Sequence, residues 1–304
     1  MSNFALVAVC ILAGALLKKW KLLPTTTPQV LNGIIFYIAL PALILIQFNG
    51  ITLSREAIYP VVGAWLLFIG SAFLFGVLGK RAGLGRKTIC ALILTAGLGN
   101  TGFLGYPMVE ALYGTSALRT DMLVDQLGSF LILSTAGIGL AATYSDRSTS
   151  LRGSLRRMFS FPPVYSLIIA LMLSWYPFPP LLNELFTKLG GMVTPLALVS
   201  VGFQFKFGTK FLRQNMRPLW MGLGYKLVLG PLLLSLLFVG VFGGRGESVQ
   251  VTLIETAMAP MITAGVVAVE YELDIELVSL MLGIGIPLSF FTVPILSYLL
   301  RGIG

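Results

Sequence analysis

Apolar residues run through this chain in long blocks rather than in alternation, and short polar or basic stretches separate the blocks. Ten blocks come near the roughly 20 residues that a helix needs to cross a bilayer: 3–17, 29–49, 57–79, 88–113, 123–144, 161–178, 182–205, 217–242, 249–270 and 277–300. The pattern predicts an all-α membrane protein of ten transmembrane helices, spans 1 to 10 in chain order. Two blocks are interrupted from within. Span 4 carries "GLGNTGFLGYP" at 97–107, and span 9 carries "AMAPMITAG" at 257–265. A freed N–H or C=O is costly in hydrocarbon, so unwound backbone at mid-depth is expected only where protein or a water-filled cavity satisfies it. At about 1.5 Å per residue, Asn100 lies about 18 Å in from Thr88, and Pro260 lies equally far from Ser248 at the other face. Helices 4 and 9 are therefore expected to cross as two broken helices at the middle of the membrane. The "GLGNTGFLG" glycines alone also fit a close-packing groove between helices, although such a groove has no use for Asn100 and Thr101 at its centre.

The same pattern repeats. Span 2 and span 7 each open on Leu-Asn, carry a mid-helix proline (Pro41, Pro195) and close on Gln-Phe, and Asn100 of span 4 corresponds to Pro260 of span 9. The chain then divides into a first five-helix repeat (1–144), a basic cytoplasmic linker (145–160) and a second five-helix repeat (161–304). Five is odd, so the second repeat is inverted relative to the first, an architecture common among secondary transporters.

Composition agrees with the pattern. Of 304 residues, 56% are hydrophobic and 11% charged, with a mean hydropathy of +0.90, which excludes a water-soluble domain. The net charge of +9 is mostly topology. Lys18, Lys19, Lys21, Lys80, Arg81, Arg86, Lys87, Arg147, Arg152, Arg156, Arg157, Lys206, Lys210, Arg213 and Arg217 follow the odd-numbered spans, whereas the opposite loops hold only Arg55, Arg119, Lys188, Arg245 and Arg301. The positive-inside rule then puts both termini outside and the basic loops in the cytoplasm, with anionic lipid rather than nucleic acid as their partner. Without a positive residue ahead of span 1, a cleaved signal peptide is not expected. The chain has no histidine, and Cys10 and Cys90 fall in different spans. A histidine-containing metal site is thus impossible, and no nucleophile–base pair, metal cluster or phosphate loop points to an enzyme or a resident cofactor.

"NTGFLGYP" in span 4, "AMAP" followed by "AVEYELD" in span 9, and "TVPILSYLL" in span 10 resemble the auxin efflux carrier family, and the resemblance covers essentially the whole chain. It implies a secondary carrier of small organic acid anions in a bacterial inner membrane, dimeric through scaffold helices, with an elevator-type step and the substrate at the crossover of helices 4 and 9. A carboxylate there suits the half-helix N-termini. The candidate substrate residues are Asn100, Thr101, Gly102, Phe103, Pro107, Pro260, Met261, Ile262 and Thr263. The resemblance extends to the bile acid:sodium symporters, which makes a sodium-coupled carrier of amphipathic solutes the alternative. By that likeness Glu255, Asn100, Ser129 and Ser134 are the cation-coupling candidates, with one sodium ion or a proton as coupling ion and no other metal. A plain Lys226–Glu255 salt bridge fits the same residues, since both lie deep in adjacent spans. Asp125 reads as a half-solvated residue at the start of span 5, with a proton carrier as the alternative. Pro41, Gln47, Pro195 and Gln204 line the pathway or bond between helices.

Overall fold

The computed structural model describes residues 2–49, 58–145, 162–204 and 212–303. Their regular structure is helical, without a named strand among the described residues. The helices are α1 (Ser2–Lys19), α2 (Thr27–Phe48), α3 (Ile58–Gly79), α4 (Arg86–Gly97), α5 (Tyr106–Tyr113), α6 (Thr115–Tyr144), α7 (Pro162–Met172), α8 (Pro180–Phe203), α9 (Asn215–Val241), α10 (Glu247–Thr256), α11 (Ile262–Glu270) and α12 (Ile275–Leu300). Among the described residues, six of them (α2, α3, α6, α8, α9 and α12) are long and apolar enough to cross a membrane. Tyr37, Phe73, Leu236 and Phe291 point outward from α2, α3, α9 and α12. Outward-facing apolar side chains on long apolar helices are what a lipid solvent requires. The linker expected at 145–160 lies, apart from Ser145, outside the described residues.

Several long helices contain π turns, and three share one sequence arrangement. The π turns Ile35–Ala39, Thr101–Gly105 and Tyr225–Leu229 are each followed by one residue and then by proline: Pro41, Pro107 and Pro231. Proline has no N–H to give, and its ring collides with the carbonyl four residues back; a widened turn moves that carbonyl aside. In α9 the Gly230 N–H reaches the Tyr225 carbonyl, five residues back, and Leu40 does the same to Ile35 in α2.

The chain folds into two compact units, and each draws on both halves of the sequence. The first comprises the described residues within Met1–Ser54, Gly102–Met122 and Arg156–Lys206. In it α1 and α8 cross at backbone contact: a Cβ on Gly14 would lie 2.2 Å from the Val199 carbonyl oxygen, and one on Gly202 would lie 2.1 Å from that of Ile11. Only glycine allows that approach. Ser200 donates to Asn32 Oδ1 at 2.8 Å, and Thr194 donates to Glu110 Oε2 at 2.9 Å, beside Pro195. Gln47 donates to the Thr115 carbonyl at 3.5 Å.

The second unit comprises the described residues within Arg55–Thr101, Leu123–Leu155 and Phe207–Gly304. Two half-helices form its interior. Every residue of α4 from Ile89 to Gly97, and of α10 from Val249 to Thr256, is buried. A helix with no exposed face belongs inside protein, and α3, α9 and α12 pack against this pair. Asp274 caps α12, accepting from Leu277 N–H at 3.1 Å and from the Thr88 hydroxyl at 2.7 Å.

Candidate functional site

Both expected interruptions are present, with residues 97–101 of the first and all of the second in the second unit. α4 ends at Gly97 and Leu98 turns extended, at φ −116° and ψ 130°. α10 ends at Thr256, and Met261 is extended, at φ −69° and ψ 124°, just before α11. The two extended pieces run antiparallel. Asn100 N–H donates to the Ala259 carbonyl at 2.8 Å, and Met261 N–H donates to the Leu98 carbonyl at 3.1 Å. Between these bonds Gly99 and Pro260 stand opposite each other. In this register neither residue of the central pair has to donate to the other, so the missing N–H of Pro260 leaves no gap in the ladder. Gly99 has a packing reason: a Cβ there would come within 3.1 Å of both the Glu255 carbonyl oxygen and Lys226 Nζ. From the other side Pro260 bears on Gly285 of α12, where a Cβ would lie 2.6 Å from Pro260 Cδ.

The backbone freed by one break is therefore satisfied by the other break. That corrects one expectation about the N-termini. The Met261 N–H is committed to Leu98, so the donors left at the start of α11 are those of Ile262, the half-buried Thr263 and Ala264.

The carbonyl end of α10 is closed as well. Ala257 N–H donates to Ile254 at 3.0 Å, Met258 N–H donates to Glu255 at 3.2 Å, and Lys226 Nζ donates to the Thr256 carbonyl at 2.9 Å. The π turn of α9 that precedes Pro231 buries Tyr225, Lys226 and Leu227 in succession. Tyr225 donates to the Leu67 carbonyl at 2.7 Å, which fixes the turn against α3. Lys226 is 0% exposed and Glu255 1%, and each lies in the electrostatic field of the other.

A second polar cluster adjoins the break in α4. Asp125 sits on the π segment Val124–Phe130 of α6 and accepts from the Thr101 hydroxyl through Oδ1 and from Gln126 Nε2, at 2.7 Å, through Oδ2. The sequence reading placed Asp125 half-solvated at a helix start. The structure corrects this: α6 begins at Thr115, Asp125 lies ten residues further on, and its side chain is buried. Arg119 and Asp121 lower the hydropathy of the first turns and hide the true start. The Thr101 hydroxyl is correspondingly committed to Asp125 rather than offered to a ligand.

Of the expected substrate residues, Asn100, Thr101, Pro260, Met261, Ile262 and Thr263 belong to the second unit, with Asn100 buried at the ladder. Gly102, Phe103 and Pro107 fall in the first unit, where Phe103 stacks edge-on against Phe36 with centroids 5.5 Å apart. Ser129 and Ser134 are buried on π segments of α6 in the second unit. Pro41 and Pro195 lie in α2 and α8, and the Gln204 side chain lies outside the described residues. Sequence reasoning missed Asp121, a fully buried carboxylate of the first unit, because it reads as part of a polar loop.

A family model described as membrane transport protein matches residues 1–297. Two curated relatives are similar along nearly their whole length. An uncharacterised transporter of Methanothermobacter thermautotrophicus is 26% identical over 298 residues, 97% of this chain and 96% of the relative. An uncharacterised transporter of Methanocaldococcus jannaschii is 27% identical over 317 aligned residues, 99% of this chain and 98% of the relative.

Proposed function

The chain belongs to the membrane transport protein family, the auxin efflux carriers of the sequence reading, and from that premise we propose that it is a secondary carrier of small organic acid anions. The observation that carries the reading is the paired break, Leu98–Asn100 against Ala259–Met261, with Asn100 buried beside it and the first turn of α11 directed away from it. Two helix interruptions locked together make a rigid cradle of peptide dipoles, and a carboxylate is the ligand that half-helix N-termini favour. Asn100 and Thr263 orient the anion through their side chains, and Ile262 supplies backbone N–H.

In this reading the ten apolar blocks are ten spans in two inverted five-helix repeats, 1–144 and 161–304, joined by the 145–160 linker, with both termini outside a bacterial inner membrane. An elevator-type alternating-access step is the mechanism, and support comes from the two paired extended pieces, Leu98–Asn100 and Ala259–Met261, lying within one compact unit. The carrier works as a homodimer, without a resident cofactor, and draws on a proton or sodium gradient. Reconstituted protein screened for flux of small monocarboxylates and dicarboxylates, with sodium and pH gradients imposed separately, tests the reading. Saturable uptake of one acid is the expected result; no flux of any acid, with flux of an uncharged solute instead, overturns it.

A further inference from the structure

Lys226 is the chemistry that the carrier reading leaves unused. It is a fully buried lysine on a π turn, its Nζ 2.9 Å from the carbonyl of Thr256, the last residue of α10, and beside the glycine of the ladder. A helix carbonyl end carries about half a negative charge, and this one is interrupted inside protein, where water cannot solvate it. Glu255 adds its carboxyl group one residue earlier, also buried. One monovalent cation is what such a place calls for, and the ammonium sits in it.

We infer that Lys226 is a tethered cation: its ammonium holds, through the Thr256 carbonyl and the field of Glu255, the position that a dissociable sodium ion would take at the α10 break, so the carrier cycles without sodium at that position. The consequence follows from the tether. A free ion neutralises a carbonyl end only while bound, and so ties the empty and loaded unit to its concentration. An ammonium on α9 neutralises that end without drawing on a dissolved ion. A sodium site built on Glu255 then exists only when the ammonium is removed. A lysine that merely pairs with a neighbouring acid could sit anywhere along α10; this one is placed at the last carbonyl, against Gly99, where any Cβ would crowd it at 3.1 Å.

The inference rests on the carrier reading for its meaning, but its test uses no substrate. Thermal unfolding of the full chain in detergent is followed in sodium, potassium and choline chloride at equal ionic strength. Wild type is expected to unfold at one temperature in all three. Lys226→Ser, which opens room and leaves a hydroxyl, is expected to gain roughly 5 °C in sodium alone, the shift for sodium at about a hundred times its dissociation constant. If Lys226→Ser is not recovered folded, Lys226→Gln keeps a donor for the Thr256 carbonyl and provides the same readout. A sodium-specific shift in wild type overturns the inference, and so does a variant that responds to the three salts alike. A flux screen that finds no carried acid sinks the carrier reading and leaves this result standing.

Discussion

Gly99→Ala is the smallest change that reaches the crossover. Gly99 does not occupy the left-handed region, so alanine can take its backbone conformation, and the cost is one of space alone. The added methyl would meet the Glu255 carbonyl oxygen and Lys226 Nζ at 3.1 Å each, and Thr101 Cγ2 at 3.4 Å. Comfortable contact begins at about 3.5 Å, so two groups must each yield by a few tenths of an ångström. One of them is backbone, held by Met258 N–H, and cannot retreat without loosening the end of α10. The other is an ammonium whose bond to Thr256 is already 2.9 Å. Overpacking costs about 1–3 kcal/mol and a weakened charged hydrogen bond up to about 2 more, so a loss of about 2–4 kcal/mol is expected. In a chain of this size that lowers the unfolding temperature by roughly 5–10 °C. Thermal unfolding in detergent measures it, with Gly139→Ala as the control. Gly139 lies in the helical end of α6, and a Cβ there meets nothing within 4 Å; it gains about 0.5–1 kcal/mol from helix propensity. If Gly99→Ala unfolds within about 1 °C of wild type, the ladder is not packed as described and the tight approach of Lys226 is refuted.

Three further outcomes follow from the same geometry. Asn100→Ala keeps its backbone bond to Ala259, and acid flux in proteoliposomes is expected to fall tenfold or more, about 1.4 kcal/mol; normal kinetics would remove this side chain from the site. Asp125→Asn replaces a carboxylate that accepts from Thr101 and Gln126 with a group that has one acceptor oxygen. About 1.5–3 kcal/mol of stability is expected to go with the lost charged bond, and an unfolding temperature equal to that of wild type would contradict it. Gly285→Ala sets a Cβ 2.6 Å from the rigid Pro260 ring. It is expected to destabilise more than Gly99→Ala, and a smaller effect in the same thermal assay would show that α12 can give way.

The interruptions were legible because glycine, asparagine and proline stand inside apolar runs, and the chain at Asn100 and Pro260 cannot stay helical in hydrocarbon without help. What provides the help was not legible. A sequence marks where backbone is released, whereas the Asn100–Ala259 and Met261–Leu98 bonds depend on how two segments far apart in the chain are registered. The π turns were missed for a related reason: they leave hydrophobicity unchanged, and only the prolines at 41, 107 and 231, each two residues past a π turn, hint at them. Those turns matter to the site, since they bring Lys226 and Thr101 inward. Asp125 was misplaced because hydropathy alone starts the span at 123, whereas the helix begins at Thr115 among polar residues.

The polarity of the crossover follows from which groups remain once the internal bonds are counted. The carbonyls of Leu98 and Ala259 are taken by the ladder, those of Ile254 and Glu255 by the turn that ends α10, and that of Thr256 by Lys226. Those five carbonyls are thus spoken for by the protein itself. Donors are used less completely: the ladder takes the N–H of Asn100 and Met261, and α11 begins one residue later with N–H groups that no preceding turn can reach. A ligand that brings acceptor oxygens meets the positive end of α11, with the Thr263 hydroxyl on its first turn. In the carrier reading proposed above, that positive end is where a carboxylate cargo would be held.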